Sequence, residues 1–250
     1  PTYLLNMAEV ARQRLDLDPA GLSVTKITCA GEPGASIPST KKRIEEAGGA
    51  RVYDHAGATE IGAWGYECAA QPGGLHVNEA LFLVEIEDLE SGEIITEPGQ
   101  RGKMVITALD RLSQPCIRFD SQDIIEWAEE DCPCHRTYRL IKGGVQGRAD
   151  DITKVKGVLL APAAIEEVVR GFDELGNEYL VTVERFGDKD KISLKVELRP
   201  EADKEQVLAA LKDRLRLATN LGYQIEALPL GSLDRHEVKA SRFKDLRPKH

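Results

Sequence analysis

Apolar residues recur at helical spacing through MAEVARQRLDL (residues 7–17), and the run closes near Pro19 and Gly21, which predicts a helix ending in a turn. SVTKITCAG (23–31) reads as a buried strand running into a glycine turn. SIPSTKKRIEEAGG (36–49) predicts a second helix, with Ser36 or Ser39 as its cap and Gly48-Gly49 as its stop. RVYDHAG (51–57) predicts a second strand that turns at Gly57. Strand, loop, helix, strand, loop is the order of a parallel α/β sheet, whose ligands gather beyond the carboxyl ends of the strands. AGEPG and HAGATE occupy two such ends.

From about Asn78 the period changes. ALFLVEIED, GKMVITAL, DIIEWAE and TYRLIKGG are short alternating segments separated by SGE and EPGQRG turns, the pattern of an antiparallel sheet or small barrel. Beyond residue 150 it changes again. ITKVKG, EYLVTVERF, KISLKVELRP and YQIEAL read as strands; PAAIEEVVRGF and DKEQVLAALKDRLRLAT read as helices. The expectation is therefore α/β plus α+β: the end of a parallel-sheet domain over 1–77, a small antiparallel β-barrel over 78–149, and a separate α+β domain over 150–250.

Composition narrows the function. The chain has 250 residues, 42% hydrophobic and 30% charged, with a net charge of −9. An acidic balance offers no cationic footprint for phosphate backbones, so nucleic acid is not an expected partner. No apolar run reaches the roughly 20 residues that span a bilayer, so no membrane partner is expected either. Five cysteines, an odd number, with CPC among them, suit a reducing cytoplasm and a metal site better than a disulfide frame. The chain starts at Pro1 without an initiator methionine, and the expectation is that its natural N-terminus lies upstream.

GRADDITKVKG (147–157) stands out: adjacent aspartates and two lysines, bounded by glycines, at the expected boundary between two architectures. Taken with GEP (31–33), GATE (57–60), RFDSQD (118–123), the pair YECAAQPGGLH and CPCHRTYR, and the C-terminal LDRHEVKASRFKDLR, it resembles the adenylate-forming acyl-CoA ligases, specifically their phenylacetate–CoA ligase branch. The motifs occur in order across essentially the whole chain.

The resemblance implies ATP-dependent activation of an aryl or arylalkyl carboxylate, followed by thioester formation with coenzyme A. It implies roles residue by residue. Thr59 would contact phosphate and Glu60 would hold Mg²⁺, a hard cation that takes carboxylate oxygens. Gly31, Glu32, Pro33, Tyr53, Asp54 and Gly57 would line the nucleotide, Asp123 would accept the ribose hydroxyls, and Arg148 would lie by ribose and phosphate. Ala30, Ala58 and Ile61 would contribute to the acyl pocket. Asp150 would be the hinge of the C-terminal domain, Gly157 would face the pantetheine arm of coenzyme A, and Lys239 would contact the carboxylate and α-phosphate. Arg118, Lys154 and Lys156 have no assigned role. Ala56 departs from the family's usual tyrosine, which puts the adenine-face contact in doubt; His55 or Tyr53 could substitute. Nothing in residues 1–30 resembles the family's phosphate loop, so the chain reads as the C-terminal part of a ligase, inactive by itself. The expected partners are a small carboxylate, ATP and coenzyme A, and the reading leaves room for a homodimer.

Cys68, His76, Cys132 and Cys134 offer three thiolates and an imidazole, the donor set of a structural zinc site, with His135 as an alternative ligand. Cys29 and Cys116 lie in apolar contexts that suit a core. Two competing functions stay open: a relative that adenylates another acceptor, such as a deazaflavin coenzyme, and a non-catalytic nucleotide-binding module.

Overall fold

The computed structural model describes residues 1–32, 34–187, 189–235 and 242–248. They divide into two compact units: Pro1 with Pro19–Asp151, and Thr2–Asp18 with Ile152–His250. The division falls inside the charged GRADDITKVKG stretch.

In the first unit, strand β1 (Lys26–Cys29) runs parallel to β2 (Arg51–Ala58), joined by helix α2 (Pro38–Gly48). Pro38 at the start of α2 fixes a helical φ, and Gly49 ends the helix in the left-handed region at φ 61°. Neither serine caps this helix. Its N-cap is Ile37, without a side-chain cap bond; Ser36 is buried and hydrogen-bonds Asp54 instead.

After β2 the sheet turns antiparallel through β3 (Gly62–Tyr66), β4 (Leu75–Val77) and β8 (Leu140–Ile141), giving the order β1-β2-β3-β4-β8. A second, wholly antiparallel sheet runs β5 (Phe82–Glu87), β6 (Arg101–Ala108), β7 (Phe119–Glu126) and β9 (Gly147–Arg148). Ile61, Trp64, Leu75, Ile86, Ile106 and Ile125, from both sheets, share one core. The alternation in β5, with Phe82, Val84 and Ile86 inward, is what brings that strand down on it.

The expected barrel is corrected here: among the described residues the second sheet is open. Its outer strand β9 has two residues and pairs only with β7. Closure needs two edges long enough to pair with each other, and β9 is too short. Alternation reports which face of a strand is buried and says nothing about whether the sheet's ends meet.

The second unit is a four-stranded sheet in the order β14 (Gln224–Pro229), β13 (Lys189–Leu198), β12 (Leu175–Phe186), β15 (Phe243–Asp245), carrying α3 (Pro162–Arg170) and α4 (Lys204–Thr219). Val207, Leu211 and Leu215, one helical turn apart, bury one face of α4 in the same core as Val181, Val183 and Leu194. Each such side chain contributes about 1.5–3 kcal/mol when fully buried. Asp203 caps α4, accepting from the Gln206 N–H at 3.1 Å. The first helix, α1 (Thr2–Leu15), also belongs to this unit: Arg235 donates to Glu9 at 3.2 Å, and Arg242 to Thr2 at 3.2 Å. No helix among the described residues is long and apolar enough to cross a membrane.

The second unit also holds the hairpin β10 (Thr153–Val155) to β11 (Val158–Leu160), whose Val155 and Leu160 join its core. Val155 pairs with Val158, so Lys156 and Gly157 form a two-residue turn, with φ 50° and 83°. Two central residues at positive φ match the twist of the flanking strands, and glycine is the residue that adopts this conformation without strain.

Candidate functional site

The end of β1 is level with Asp54, because Cys29 pairs with Asp54 in the parallel ladder. Ala30 and Gly31 follow it on the surface, and the half-buried Glu32 pairs with the Pro1 ammonium at 3.0 Å. Thr59 and Glu60 sit farther along, past the end of β2. They are exposed at the tip of the β2–β3 hairpin, where Arg111 donates to the Thr59 carbonyl at 3.0 Å. Gly57 has a structural reason of its own: a Cβ there would stand 2.9 Å from the Gly62 carbonyl across the hairpin. Ala58 packs against the core and Ile61 lies within it, 2% exposed. The Tyr53 ring is covered by Arg51, 5.3 Å from its centroid.

Asp54 is braced on all sides. Glu67 accepts the Asp54 backbone N–H at 2.7 Å, the His55 N–H donates to the Asp54 carboxylate at 3.0 Å, and Lys41 forms a buried ion pair with Glu67. Burial, and secondarily the Glu67 charge, hold the Asp54 pKa above the usual carboxylate range, although the His55 N–H and the Lys41 charge oppose this.

A second cluster forms where β7 meets β9. Asp123 stands opposite Arg148 in the antiparallel register. Arg148 grips Asp150 with both arms of its guanidinium, at 2.8 and 2.7 Å, lies 3.7 Å from Asp123, and donates to the Ser121 carbonyl at 3.2 Å. Asp150 raises the Arg148 pKa. Residues from RFDSQD and GRADD thus meet at one place. Arg118 is engaged elsewhere, paired with Glu85 and Glu87.

Cys68, just after β3, His76 in β4, and Cys132 and Cys134 in the loop after β7 also converge, with all four ligand atoms within 4.8 Å of one another. The Cys68 and Cys132 sulfurs are 3.4 Å apart, and Cys134 Sγ is 3.3 Å from His76 Nε2. Desolvation pushes the Cys132 thiol up to about 11. At Cys134 desolvation is outweighed by hydrogen bonds from the Arg136 backbone and side chain, which lower the thiol to about 6. His135 is exposed and outside this group. Cys29 is buried, and Cys116 packs against the first unit's core.

In the second unit, Lys156, beside Gly157, lines a cavity of about 440 Å³ together with Lys189, Lys191, Phe186 and Tyr223. Pro33 and Lys239 lie outside the described residues.

Residues 157–247 match the family model of the AMP-binding enzyme C-terminal domain. The chain is 30% identical over 268 residues to the phenylacetate-coenzyme A ligase of Thermus thermophilus, covering 99% of this chain and 59% of that protein. The chain belongs to the adenylate-forming acyl-CoA ligase family. A crystal structure of 2-hydroxyisobutyryl-CoA ligase in the postadenylation state, in complex with 2-HIB-AMP, matches this family member with a TM-score of 0.91 at 30% identity, over 98% of this chain and 53% of that one. The same ligase in complex with 2-HIB-AMP and CoA, in the thioesterification state, matches with a TM-score of 0.58 at 31% identity, over 99% and 53%. This chain therefore spans little more than half the length of the relatives it matches.

Within this ligase-family chain, some residues that shape the sites left no mark in the sequence. Lys41 lies on α2 and Glu67 just after β3. Buried, with 9% and 0% of their side chains exposed, they tie α2 to the end of β3. Replacing Glu67 by glutamine strands the Lys41 ammonium, and the expected loss is about 3–5 kcal/mol of stability. Urea denaturation measures it; a loss below about 1 kcal/mol would mean the pair contributes little. Lys191 opens KISLKVELRP, which reads as a strand, and Lys189 lies just before it.

Proposed function

We propose that the full-length protein activates a small carboxylate, of the aryl or arylalkyl class, as its adenylate and transfers the acyl group to coenzyme A. In the first step a carboxylate oxygen bonds to the α-phosphorus of ATP, and the bond to the bridging oxygen breaks, releasing pyrophosphate. In the second the thiolate of coenzyme A bonds to the acyl carbon, and AMP leaves with the anhydride oxygen. Little covalent chemistry is asked of the protein: it orients the reactants and neutralises developing charge.

The observation that carries this reading is the meeting of Asp123, Arg148 and Asp150 at the β7–β9 ladder. An acceptor carboxylate for ribose hydroxyls and a planar cation for phosphate stand side by side there. Asp54, braced by Glu67 and the His55 N–H, would line the base and sugar with Tyr53, Gly31 and Glu32. Thr59 would meet phosphate, with Ala30 and Ala58 toward the acyl group. Glu60 is an exposed carboxylate, a donor that fits a hard cation keeping most of its waters, and it would hold Mg²⁺, which neutralises phosphate charge. The cavity beside Gly157, lined by Lys156, Lys189 and Lys191 as well as Asp190, suits the phosphates of an acceptor such as coenzyme A. That one relative is known in a postadenylation state and in a thioesterification state supports a two-arrangement cycle in that ligase, and with it a hinge role for Asp150.

Acid-dependent exchange of labelled pyrophosphate into ATP tests the reading. With a panel of aryl and arylalkyl acids, exchange with a narrow subset, abolished by chelating Mg²⁺, is the expected result. Ala56, in place of the family's usual tyrosine, is what favours a binding module instead. ATP binding by folded protein with no exchange for any acid would select that module.

A further inference from the structure

We infer that Cys68, His76, Cys132 and Cys134 form a closed, four-coordinate zinc site whose task is to hold the irregular loop 128–139 against β3 and β4. This goes beyond the ligase reading and stands without it.

The donor atoms have the right mutual spacing. Zinc bound at about 2.3 Å to sulfur and 2.0–2.1 Å to nitrogen in a tetrahedron puts its ligand atoms roughly 3.5–3.8 Å from each other. Here the closest pairs stand at 3.3 and 3.4 Å and no pair exceeds 4.8 Å. A small adjustment, outward for these two pairs and inward for any pair wider than 3.8 Å, would admit the ion.

The imidazole is set for ligation. His76 Nδ1 lies 3.0 Å from the Tyr138 carbonyl oxygen. A carbonyl only accepts, so Nδ1 carries the proton. Nε2 is then the lone-pair nitrogen, and it faces the Cys134 sulfur. A histidine ligand oriented by a backbone carbonyl through its other nitrogen is the usual second layer of a metal site. His76 is wholly buried, and its Tyr66 neighbour keeps one side covered, with ring centroids 5.7 Å apart.

The loop turns to present its sulfurs. The His135 N–H donates to the Cys132 carbonyl at 3.0 Å, closing a tight turn around Pro133 that brings two thiols to one side. Three thiolates on a divalent ion leave one net negative charge, and the Arg136 side chain hydrogen-bonds Cys134, where it offsets that charge. Leu140 and Ala128 pack against the cluster. Three sulfurs and one nitrogen favour zinc over the oxygen-seeking magnesium and calcium. All four positions are filled by protein, which leaves no place for a reacting water and marks the site as structural.

What the ion would do follows from the fold. Residues 128–139 contain no strand or helix and few backbone hydrogen bonds, so little but these side chains fixes them.

The test is metal content and its dependence on the ligands. Full-length protein from zinc-supplemented cells, desalted without chelator, is expected to carry about one zinc per chain by plasma mass spectrometry. Chelation under denaturing conditions should release it, and removing it should lower the melting temperature. Cys132→Ser should reduce bound zinc at least about tenfold, whereas Cys116→Ser should leave it unchanged. If Cys132→Ser does not fold, His76→Cys decides: it should retain the metal as a four-sulfur site. Cobalt-substituted protein should then show the visible bands of a tetrahedral ion with stronger thiolate charge transfer than wild type. Folded protein with no metal, or a Cys68–Cys132 disulfide seen as a loss of two hydrogens in the intact mass, would overturn the inference. So would zinc retained undiminished in both Cys132→Ser and His76→Ala.

Discussion

Replacing Lys239 with alanine is expected to lower acid-dependent pyrophosphate exchange by about 10²–10³-fold, the usual consequence of removing one charged contact to the transition state in a dry site. The proposed role asks this lysine to face both the attacking carboxylate and the α-phosphate, where two negative groups must approach. A cation placed between them relieves that repulsion directly. The opposing idea is that Lys239 is one charge in a frayed basic tail. The residues on either side of this stretch are held in place. Arg235 pairs with Glu197 at 2.8 Å, and Arg242 grips the buried Glu178 at 3.0 and 3.1 Å. Beyond it, β15 pairs in parallel with β12. The chain is therefore anchored on both sides of residues 236–241. The decisive comparison is between half-reactions. Thioester formation from a supplied acyl-adenylate and coenzyme A should change less than about tenfold, because the lysine is asked to act only in the first step. Equal losses in both steps would point to a folding defect, and no loss in either would remove Lys239 from the chemistry.

How much of this could be read from residues depended on what kind of signal each feature leaves. The cysteine–histidine cluster was legible because its residue types are rare and cannot be mistaken for surface filler. The helix over 204–219 was legible because Val207, Leu211 and Leu215 repeat every turn. The turn at Lys156-Gly157 lies at the end of ITKVKG, which read as a strand running up to that glycine. Strands β3 and β4 went unseen: GAWGY is glycine-rich, and every residue of LHV is buried, so neither alternates. The barrel was read into alternation that described only an open sheet. Helix α1 was grouped with the residues that follow it, yet Glu9 meets Asn177 and Arg235, 168 and 226 positions away. Local pattern cannot reach across such a separation. Ser36 looked like a helix cap because serine usually is one near a helix start; here the carboxylate of Asp54 takes its hydroxyl instead.

Asp150→Pro should separate the two half-reactions. The proposal gives Asp150 a backbone rotation between adenylation and thioester formation, and proline removes that freedom by fixing φ near −65° and restricting residue 149 as well. If one state needs a φ that proline cannot take, reaching it costs about 3 kcal/mol, or on the order of 10² in rate. Pyrophosphate exchange should stay within about tenfold of wild type if φ in the adenylating state suits proline, while transfer to coenzyme A should fall by about 10². Substitution also breaks the fork between Arg148 and Asp150, and that loss has to be separated from the backbone effect. Asp150→Ala serves this purpose: it removes the same carboxylate but leaves φ free. The paired side chains are 33% and 51% exposed, so the fork itself stabilises by no more than about 1 kcal/mol. Alanine should therefore be mild in both half-reactions and proline severe in only one. Identical profiles for the two variants would mean that position 150 acts through its carboxylate and does not turn. A proline variant slow in adenylation but normal in transfer would keep the hinge and reverse which state its backbone favours.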